Sequence, residues 1–287
     1  MRILVTGVAG QLGYDICREL NERGYTDVLG IDRNELDITN EKAVNSFIKN
    51  YNPDVIMHNA AWTAVDKAEE MEEACYAVNV LGTKYIAEAA QEIGAKMVYI
   101  STDYVFSGEG DNFFGVDDEK APLSVYGKTK YQGELATQKC DKHFIVRISW
   151  VFGINGKNFV KTMLTLAETK NELNVVCDQI GSPTYTYDLS KLLCDMIETE
   201  KYGVYHATNE GICSWYEFAC KIFEVAGINM KVNPVKTSEY PAAKAPRPLN
   251  SRMSKSALDE AGFKRLPTWE SALERYIKNE LNVTKEI

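Results

Sequence analysis

The stretch VTGVAGQLG, residues 5–13, constrains the fold more than any other part of the chain. It sets Gly7, Gly10 and Gly13 at G-x-x-G-x-x-G spacing between an apolar run, RILVTG (2–7), and a helical pattern, QLGYDICRELNERG (11–24). In that pattern Leu12, Ile16 and Leu20 form one stripe and Gly24 is the stop. The spacing differs by one residue from the G-x-G-x-x-G dinucleotide fingerprint, and the physics carries over. Glycines let the backbone turn sharply and approach a pyrophosphate. The helix N-terminus adds unpaired N–H groups and the positive end of its dipole. A phosphate turn at the end of the first strand of a βαβ unit is the expectation.

The rest of the first half continues the alternation. DVLGID (27–32), DVIMHNA (54–60), KMVYISTDYVF (96–106) and HFIVRISWVFG (143–153) read as strands. Helical patterns lie between them at 41–51, capped by Thr39 or Asn40, and at 75–94, closed by Gly94. Such alternation implies an α/β fold, a doubly wound parallel sheet of Rossmann type with helices on both faces. Residues 1–153 are expected to form the dinucleotide-binding domain, with 184–202 returning to it, and 154–287 a smaller C-terminal α/β substrate-binding region. In that region 158–168, 186–199, 214–227 and 268–281 read as helices, the third opened by a Ser214/Glu217 capping box. LNVVCDQ (173–179) and GVYHATN (203–209) read as strands, and 228–268 shows little periodicity.

Asp32 ends the second strand pattern, nineteen residues beyond Gly13, where an acid would accept from the adenosine ribose of NADH. Arg33, next to it, would instead pair with the 2′-phosphate of NADPH, so both cofactors stay open. Asp37-Ile38 falls where the adenine would lie, and Asp37 also reads as a turn residue before the helix cap.

Three Tyr-x-x-x-Lys pairs occur: Tyr126/Lys130, Tyr187/Lys191 and Tyr240/Lys244. Spacing puts each pair on one helix face, and position separates them. Tyr240 is followed by Pro241, a poor helix setting. Tyr187 has no polar cluster before it. Tyr126 follows ISTDYVF, in which Ser101, Thr102 and Asp103 end an apolar strand, and ligands bind off the carboxyl ends of parallel strands. A free phenol has a pKa of about 10. An ammonium within about 4 Å stabilises the phenolate by up to roughly 4 kcal/mol at an effective dielectric near 20, which would lower that value by about 3 units. Tyr126 would then protonate a carbonyl oxygen that Thr102 orients as hydride arrives.

A net charge of −9 argues against general nucleic-acid binding, and no apolar run is long enough for a membrane span. MRILVTG leads straight into the first strand with no signal-peptide pattern, so a cytoplasmic protein is expected. Seven cysteines without a C-x-x-C pair read as reduced, mostly packed thiols. His58, His143 and His206 lie far apart in or beside strand patterns and read as structural. Residues 231–265 carry eight Lys/Arg against three acids, a cationic stretch suited to a nucleotide diphosphate, with Arg247 or Arg252 as the guanidinium fork.

GVAGQLG, LDIT, NAAWTAVDKAEE, NVLGT, STDYVFSG, YGKTKYQGE, RISWVFG and GSPTYTYDL occur in this order between residues 7 and 189, and APRPLNSRMS follows at 245–254. Together they resemble the dTDP-4-dehydrorhamnose reductases of the extended short-chain dehydrogenase/reductase superfamily, over nearly the whole chain. The resemblance implies NAD(P)H-dependent reduction of the 4-keto group of dTDP-4-dehydro-L-rhamnose, giving dTDP-L-rhamnose. It implies that Gly7, Gly10, Gln11 and Leu12 line the pyrophosphate. Asp32, Arg33, Asp37 and Ile38 would serve the adenosine side, and Ala60, Ala61, Trp62 and Thr63 would flank the cofactor. Trp62 stands where the family commonly has His, the backbone being expected to do most of the binding there. Thr102, Tyr126 and Lys130 would be catalytic, Tyr126 and Lys130 also meeting the cofactor. Thr102, Asp103, Trp150 and Arg247 would meet the nucleotide-diphosphate sugar. Some relatives hold Mg²⁺ between subunits near Asp15 and Asp188, usually with Glu at these positions. The plain reading of these two aspartates is solvent-facing helix charges. A monomer or homodimer is expected.

The nearest rival is another nucleotide-sugar epimerase, dehydratase or reductase of the superfamily. Tyr104, following Asp103 where dehydratases usually have Glu, argues against elimination. A non-catalytic regulatory subunit, like that of methionine adenosyltransferase, is the rival of a different class.

Overall fold

The computed structural model describes residues 1–240 and 243–283. Six parallel strands make the main sheet: β1 (Ile3–Thr6), β2 (Val28–Ile31), β3 (Val55–His58), β4 (Lys96–Thr102), β5 (His143–Ile148) and β10 (Gly203–His206). Their spatial order is β2-β1-β3-β4-β5-β10, so the connections leave β1 towards opposite edges. That reversal opens a crevice beyond the carboxyl ends of β1 and β3.

Strand alternation assigns each residue to a face. Ile3 and Val5 of β1 pack with Val55 and Met57 against α1 (Gln11–Glu22) and α8 (Thr186–Ile197). Leu4, Ile56 and Met97 pack on the other face against α2 (Glu41–Tyr51) and α5 (Thr83–Ile93). Asn40 caps α2 through the Ala43 N–H, and Gly94 ends α5 in the left-handed region at φ 71°. The helix expected over 75–94 is built from α4 (Glu72–Tyr76), a π-helical turn (Ala77–Gly82) and α5, with α3 (Val65–Ala68) preceding it. A widened turn places Gly82 beside Ile38, where a Cβ would meet the Ile38 Cδ1 at 2.9 Å. The 96–106 run stops as a strand at Thr102 and tightens into a 3₁₀ turn, Asp103–Val105. The 143–153 run is broken after Ile148, and β6 (Val151–Phe152) follows. Between β4 and β5 lies α6 (Val125–Thr137), capped by Ser124, whose hydroxyl accepts the Gly127 N–H at 3.1 Å.

The C-terminal region has its own core, in which α7 (Phe159–Ala167) and α9 (Trp215–Ala226) pack with α11 (Trp269–Arg275) and its π-helical extension Tyr276–Glu280. Its small sheets pair β7 (Glu172–Val176) with β12 (Lys231–Val235), β8 (Ile180–Gly181) with β11 (Cys213–Ser214), and β6 with β9 (Thr184–Tyr185). Strand β12 lies in the stretch that showed little periodicity. It carries Pro234 in a two-stranded sheet, where an edge tolerates the missing donor. The short helix α10 (Ser256–Glu260) packs near β10. Among the described residues no helix is long and apolar enough to cross a membrane.

Candidate active site

The crevice has a volume of about 1900 Å³ and runs between the main sheet and the C-terminal region. Its glycine end is shaped by backbone contact. Gly7 sits at φ 71°, a region that favours glycine, and a Cβ there would lie 2.8 Å from the Ala60 nitrogen. A Cβ on Gly13 would run into the Gly7 carbonyl. Gly10 is the N-cap of α1 and leaves the first turn without a side-chain cap. Such a cradle, with open N–H groups at a helix start, fits a dinucleotide pyrophosphate. Gln11 and Leu12 line it, and the Gln11 amide oxygen accepts from Asn158 of the C-terminal region at 3.0 Å.

Asp32 and Arg33 stand together at the end of β2. The Asp32 carboxylate accepts the Arg33 N–H at 2.9 Å. Asp37 accepts from the Thr39 N–H and hydroxyl at 3.0 and 2.7 Å, which makes it a turn residue that also lines the crevice beside Ile38. These two bonds hold its carboxyl below the usual aspartate value. Ala60, Ala61, Trp62 and Thr63 form the opposite wall. The Trp62 backbone is committed elsewhere, contrary to expectation. Its N–H donates to the Asn79 Oδ1 at 2.8 Å and its carbonyl accepts from the Asn79 Nδ2 at 3.2 Å.

Thr102, Tyr126 and Lys130 converge on the same crevice, below the glycine end. Strand β4 delivers Thr102, and the Ser124 cap starts α6 so that Tyr126 and Lys130 face inward one turn apart. The Tyr126 ring packs edge-on against Tyr104 at 5.4 Å. The electrostatics differ from the simple ammonium–phenolate picture. Burial raises the Tyr126 phenol above its ordinary value, with the Thr102 hydroxyl working the other way. Burial also pushes the Lys130 amine down to about 7. Its Nζ donates to the Ile100 carbonyl at 2.6 Å and lies 4.0 Å over the Tyr99 ring. The lysine is therefore bound to the strand end rather than to the phenol, and desolvation outweighs the expected lowering of the phenol.

Asp103 lines the crevice but is nearly sealed, accepting from the Ser251 hydroxyl at 2.5 Å and the Thr102 hydroxyl at 2.9 Å. Burial pushes its carboxyl up to about 6. Ser251 belongs to the APRPLNSRMS motif, so this contact ties that segment to the strand end. Trp150 also lines the crevice, with a strained φ of 51°, and stacks on Trp215 at 3.9 Å. Trp215 opens α9 and was not singled out in the sequence, since an aromatic in an amphipathic helix reads as core.

Of the eight basic residues in 231–265, Arg247 alone lines the crevice among the described residues. It donates to Asp66 at 2.6 Å. Arg252 instead holds Asn250 at 3.0 Å, while Lys231, Lys244, Lys255 and Arg265 pair with acids. The expected cationic wall is thus a set of separate ion pairs.

Asp15 and Asp188 are buried, not solvent-facing. Asp188 accepts both guanidinium nitrogens of Arg275, at 2.7 and 2.6 Å, and a bond from Asn209 at 2.9 Å. Asp15 accepts from the Thr186 hydroxyl, and burial pushes it up to about 6. Asp188 is thus taken up by a guanidinium, while among the described residues the Asp15 Oδ1 is buried without a hydrogen-bond partner. Among the described residues no group of three or more His, Cys, Asp or Glu is arranged to hold a metal.

The remaining motifs are structural. His58 bridges Thr6 and Thr83, His143 bonds the Cys140 carbonyl, and His206 bonds Arg147 and Ser254. Tyr187 donates to Glu22 at 2.6 Å on the outer side of α8, with Lys191 over its ring. Tyr240 ends a 3₁₀ turn, and Pro241 and Ala242 of the third pair lie outside the described residues.

The RmlD substrate binding domain family model matches residues 1–282. The spore coat polysaccharide biosynthesis protein SpsK of Bacillus subtilis is 44% identical, the alignment covering 96% of this chain and 97% of that protein. A dTDP-4-dehydrorhamnose reductase of Aggregatibacter actinomycetemcomitans is 42% identical over 95% and 97% of the two chains. The crystal structure of a dTDP-4-dehydrorhamnose reductase from Bacillus anthracis in complex with NADP superposes with a TM-score of 0.93, at 44% identity over 96% of this chain and 98% of that one.

Proposed function

The chain belongs to the RmlD substrate binding domain family, that of the dTDP-4-dehydrorhamnose reductases, and we infer that it reduces the 4-keto group of dTDP-4-dehydro-L-rhamnose to give dTDP-L-rhamnose. It is an oxidoreductase that uses a nicotinamide cofactor. The observation that carries this reading is the meeting of Thr102, Tyr126 and Lys130 in one crevice with the Gly7–Gly13 cradle.

In our reading Gly7, Gly10, Gln11 and Leu12 hold the pyrophosphate through backbone N–H groups, and Ala60, Ala61, Trp62 and Thr63 wall the far side. The nicotinamide, when bound, supplies hydride to the carbonyl carbon. Tyr126 gives its hydroxyl proton to the carbonyl oxygen, which becomes the C4 hydroxyl. A phenol kept protonated by burial is in the right state to donate. The Thr102 hydroxyl orients the same oxygen. Lys130 stabilises the phenolate left behind. Trp150 packs against the sugar, Asp103 supports Thr102, and Arg247 pairs with the diphosphate, exchanging Asp66 for phosphate oxygen.

NADPH is the proposed reductant. The Asp32 Oδ1 accepts the Arg33 N–H, and Arg33 itself lines the crevice, where its guanidinium fork suits a 2′-phosphate. The test is an absorbance assay with each cofactor and dTDP-4-keto-6-deoxy sugar. Stoichiometric loss of NADPH with formation of a 4-hydroxy sugar is expected. Isomerised sugar with no net oxidation would point to an epimerase, and no turnover with either cofactor to a binding subunit.

A further inference from the structure

The APRPLNSRMS motif runs along the crevice as a strap, with Ala245, Pro246, Arg247, Pro248 and Ser251 in its wall. Its far end is fixed to the strand end. A Cβ on Gly108 would lie 2.6 Å from the Pro248 Cβ, the Asn250 N–H donates to the Gly108 carbonyl at 2.8 Å, and Ser251 donates to Asp103. Its near end is held by the acidic stretch VDKAEE (65–70), which spans α3 and the turn after it. Asp66 accepts the Ala245 N–H on Oδ1 at 3.1 Å and the Arg247 Nη2 on Oδ2 at 2.6 Å. Glu70 pairs with Lys244. Between them Glu69 accepts the Val125 N–H at 2.9 Å, at the first residue of α6, where a helix leaves its N–H groups free. The acids of this stretch therefore reach both the strap and the start of the helix that carries Tyr126.

The Asp66–Arg247 pair stands apart from the Glu70–Lys244 pair because both of its members line the crevice. Its guanidinium fork is also taken up. Nη2 is held by Asp66, and Nη1 is buried with no hydrogen-bond partner among the described residues. A guanidinium that grips a phosphate bidentately turns two N–H groups to the phosphate oxygens. Here one nitrogen faces a carboxylate and the other is sealed, so the fork is not presented to the crevice. The two oxygens of Asp66 meanwhile take a guanidinium and a backbone N–H, the donors that a phosphate group itself would take. We propose that Asp66 is a positioning residue that keeps the place of the substrate's diphosphate: its carboxylate holds Arg247 until the sugar nucleotide displaces it, and recaptures the guanidinium as the product leaves. This rests on the pairing of Arg247 with the diphosphate given above. The side chains of Arg247 and Asp66 are 25% and 45% exposed, and a pair so placed is weak enough to be exchanged. The plainer role, in which Asp66 steadies Arg247 for the substrate, has the opposite sign. A competitor weakens binding of the sugar nucleotide, whereas a support strengthens it.

The test is calorimetric binding of thymidine diphosphate to the enzyme loaded with NADP⁺, with steady-state kinetics beside it. Asp66→Asn keeps the shape of the side chain and its acceptor for the Ala245 N–H, and removes the charge. The variant is expected to bind thymidine diphosphate roughly two- to fivefold tighter, the measured range for a half-exposed pair converted to affinity. KM for the sugar nucleotide should fall with it, while kcat does not rise, because the product carries the same diphosphate and leaves more slowly. Unchanged or weaker binding overturns the proposal. Glu70→Gln removes an equal charge four residues away without touching Arg247. It should gain little, and a gain equal to that of Asp66→Asn would mean a general field rather than a displaced contact and is equally fatal. So is a gain that persists in the double variant Asp66→Asn/Arg247→Ala, where no guanidinium is left to release. Arg247→Ala alone separates the two levels of the argument. If it binds thymidine diphosphate as the parent does, the pairing of Arg247 with the diphosphate fails. If it binds more weakly while Asp66→Asn gains nothing, only the present inference fails.

Discussion

Residue type, spacing and the family resemblance named side chains that the fold brings into one crevice, but not their charge states. Gly7, Gly10, Gln11, Leu12, Asp32, Arg33, Asp37, Ile38, Ala60 to Thr63, Thr102, Asp103, Tyr126, Lys130, Trp150 and Arg247 all line the same crevice. What spacing cannot give is burial, and burial reverses the simplest expectation for Tyr126 and Lys130. Nor can it give partners remote in sequence, such as Asp66 for Arg247 or Ser251 for Asp103. Glu134 was visible within YGKTKYQGE, at the same four-residue step as Tyr126 and Lys130, yet only the fold reveals that Arg147 meets it. One consequence belongs to Arg247. A lysine there keeps the charge and loses the planar fork, so Arg247→Lys is expected to raise KM for the sugar nucleotide about tenfold with little change in kcat. Steady-state kinetics at saturating NADPH check this, and a fall in kcat at unchanged KM would speak against diphosphate pairing.

Strands and helices with strong periodicity were legible to within a few residues, because one buried face dictates the pattern. The failures have local causes. The 75–94 pattern hides a π-helical turn that periodicity cannot resolve, and β12 has too few inward positions and a proline. Two predictions act at this scale. Gly7→Ala forces a left-handed conformation and a clash with Ala60, so NADPH affinity should fall more than tenfold while the melting temperature drops by a few degrees. Titration of NADPH fluorescence tests it. The seam between α1 and α8 supplies the second. Burial raises Asp15 from 3.8 to about 6, so the folded state binds its proton more tightly than the unfolded chain does. Stability is therefore lost as pH rises through that window. Asp15→Asn should melt a few degrees higher than the parent at about pH 8 and lose that advantage below about pH 4. An equal difference at both pH values would mean that packing, not ionisation, sets the effect.

At the scale of the molecule, the crevice exists because two cores meet along it. One is the sheet with its flanking helices, and the other is the aromatic-rich C-terminal core around Phe152, Phe218 and Tyr276. Their junction is made by Asn155 and Asn158 against the phosphate turn and by Ser251 against Asp103. The α/β class was readable from alternation, whereas the junction was not, since its contacts join residues more than a hundred positions apart. At the position where the family resemblance implied a metal between subunits, this chain sets Arg275 against Asp188. Prolonged dialysis against EDTA should therefore leave turnover and melting temperature unchanged, and a loss restored by Mg²⁺ would contradict that assignment. The account as a whole depends on proton donation by Tyr126. Its most direct test compares the parent with Tyr126→Phe in NADPH oxidation driven by dTDP-4-keto-6-deoxy sugar, with NADPH affinity measured in parallel. Turnover is expected to fall by about 10²–10⁴ while NADPH binding is retained; undiminished turnover in the phenylalanine variant would contradict the account.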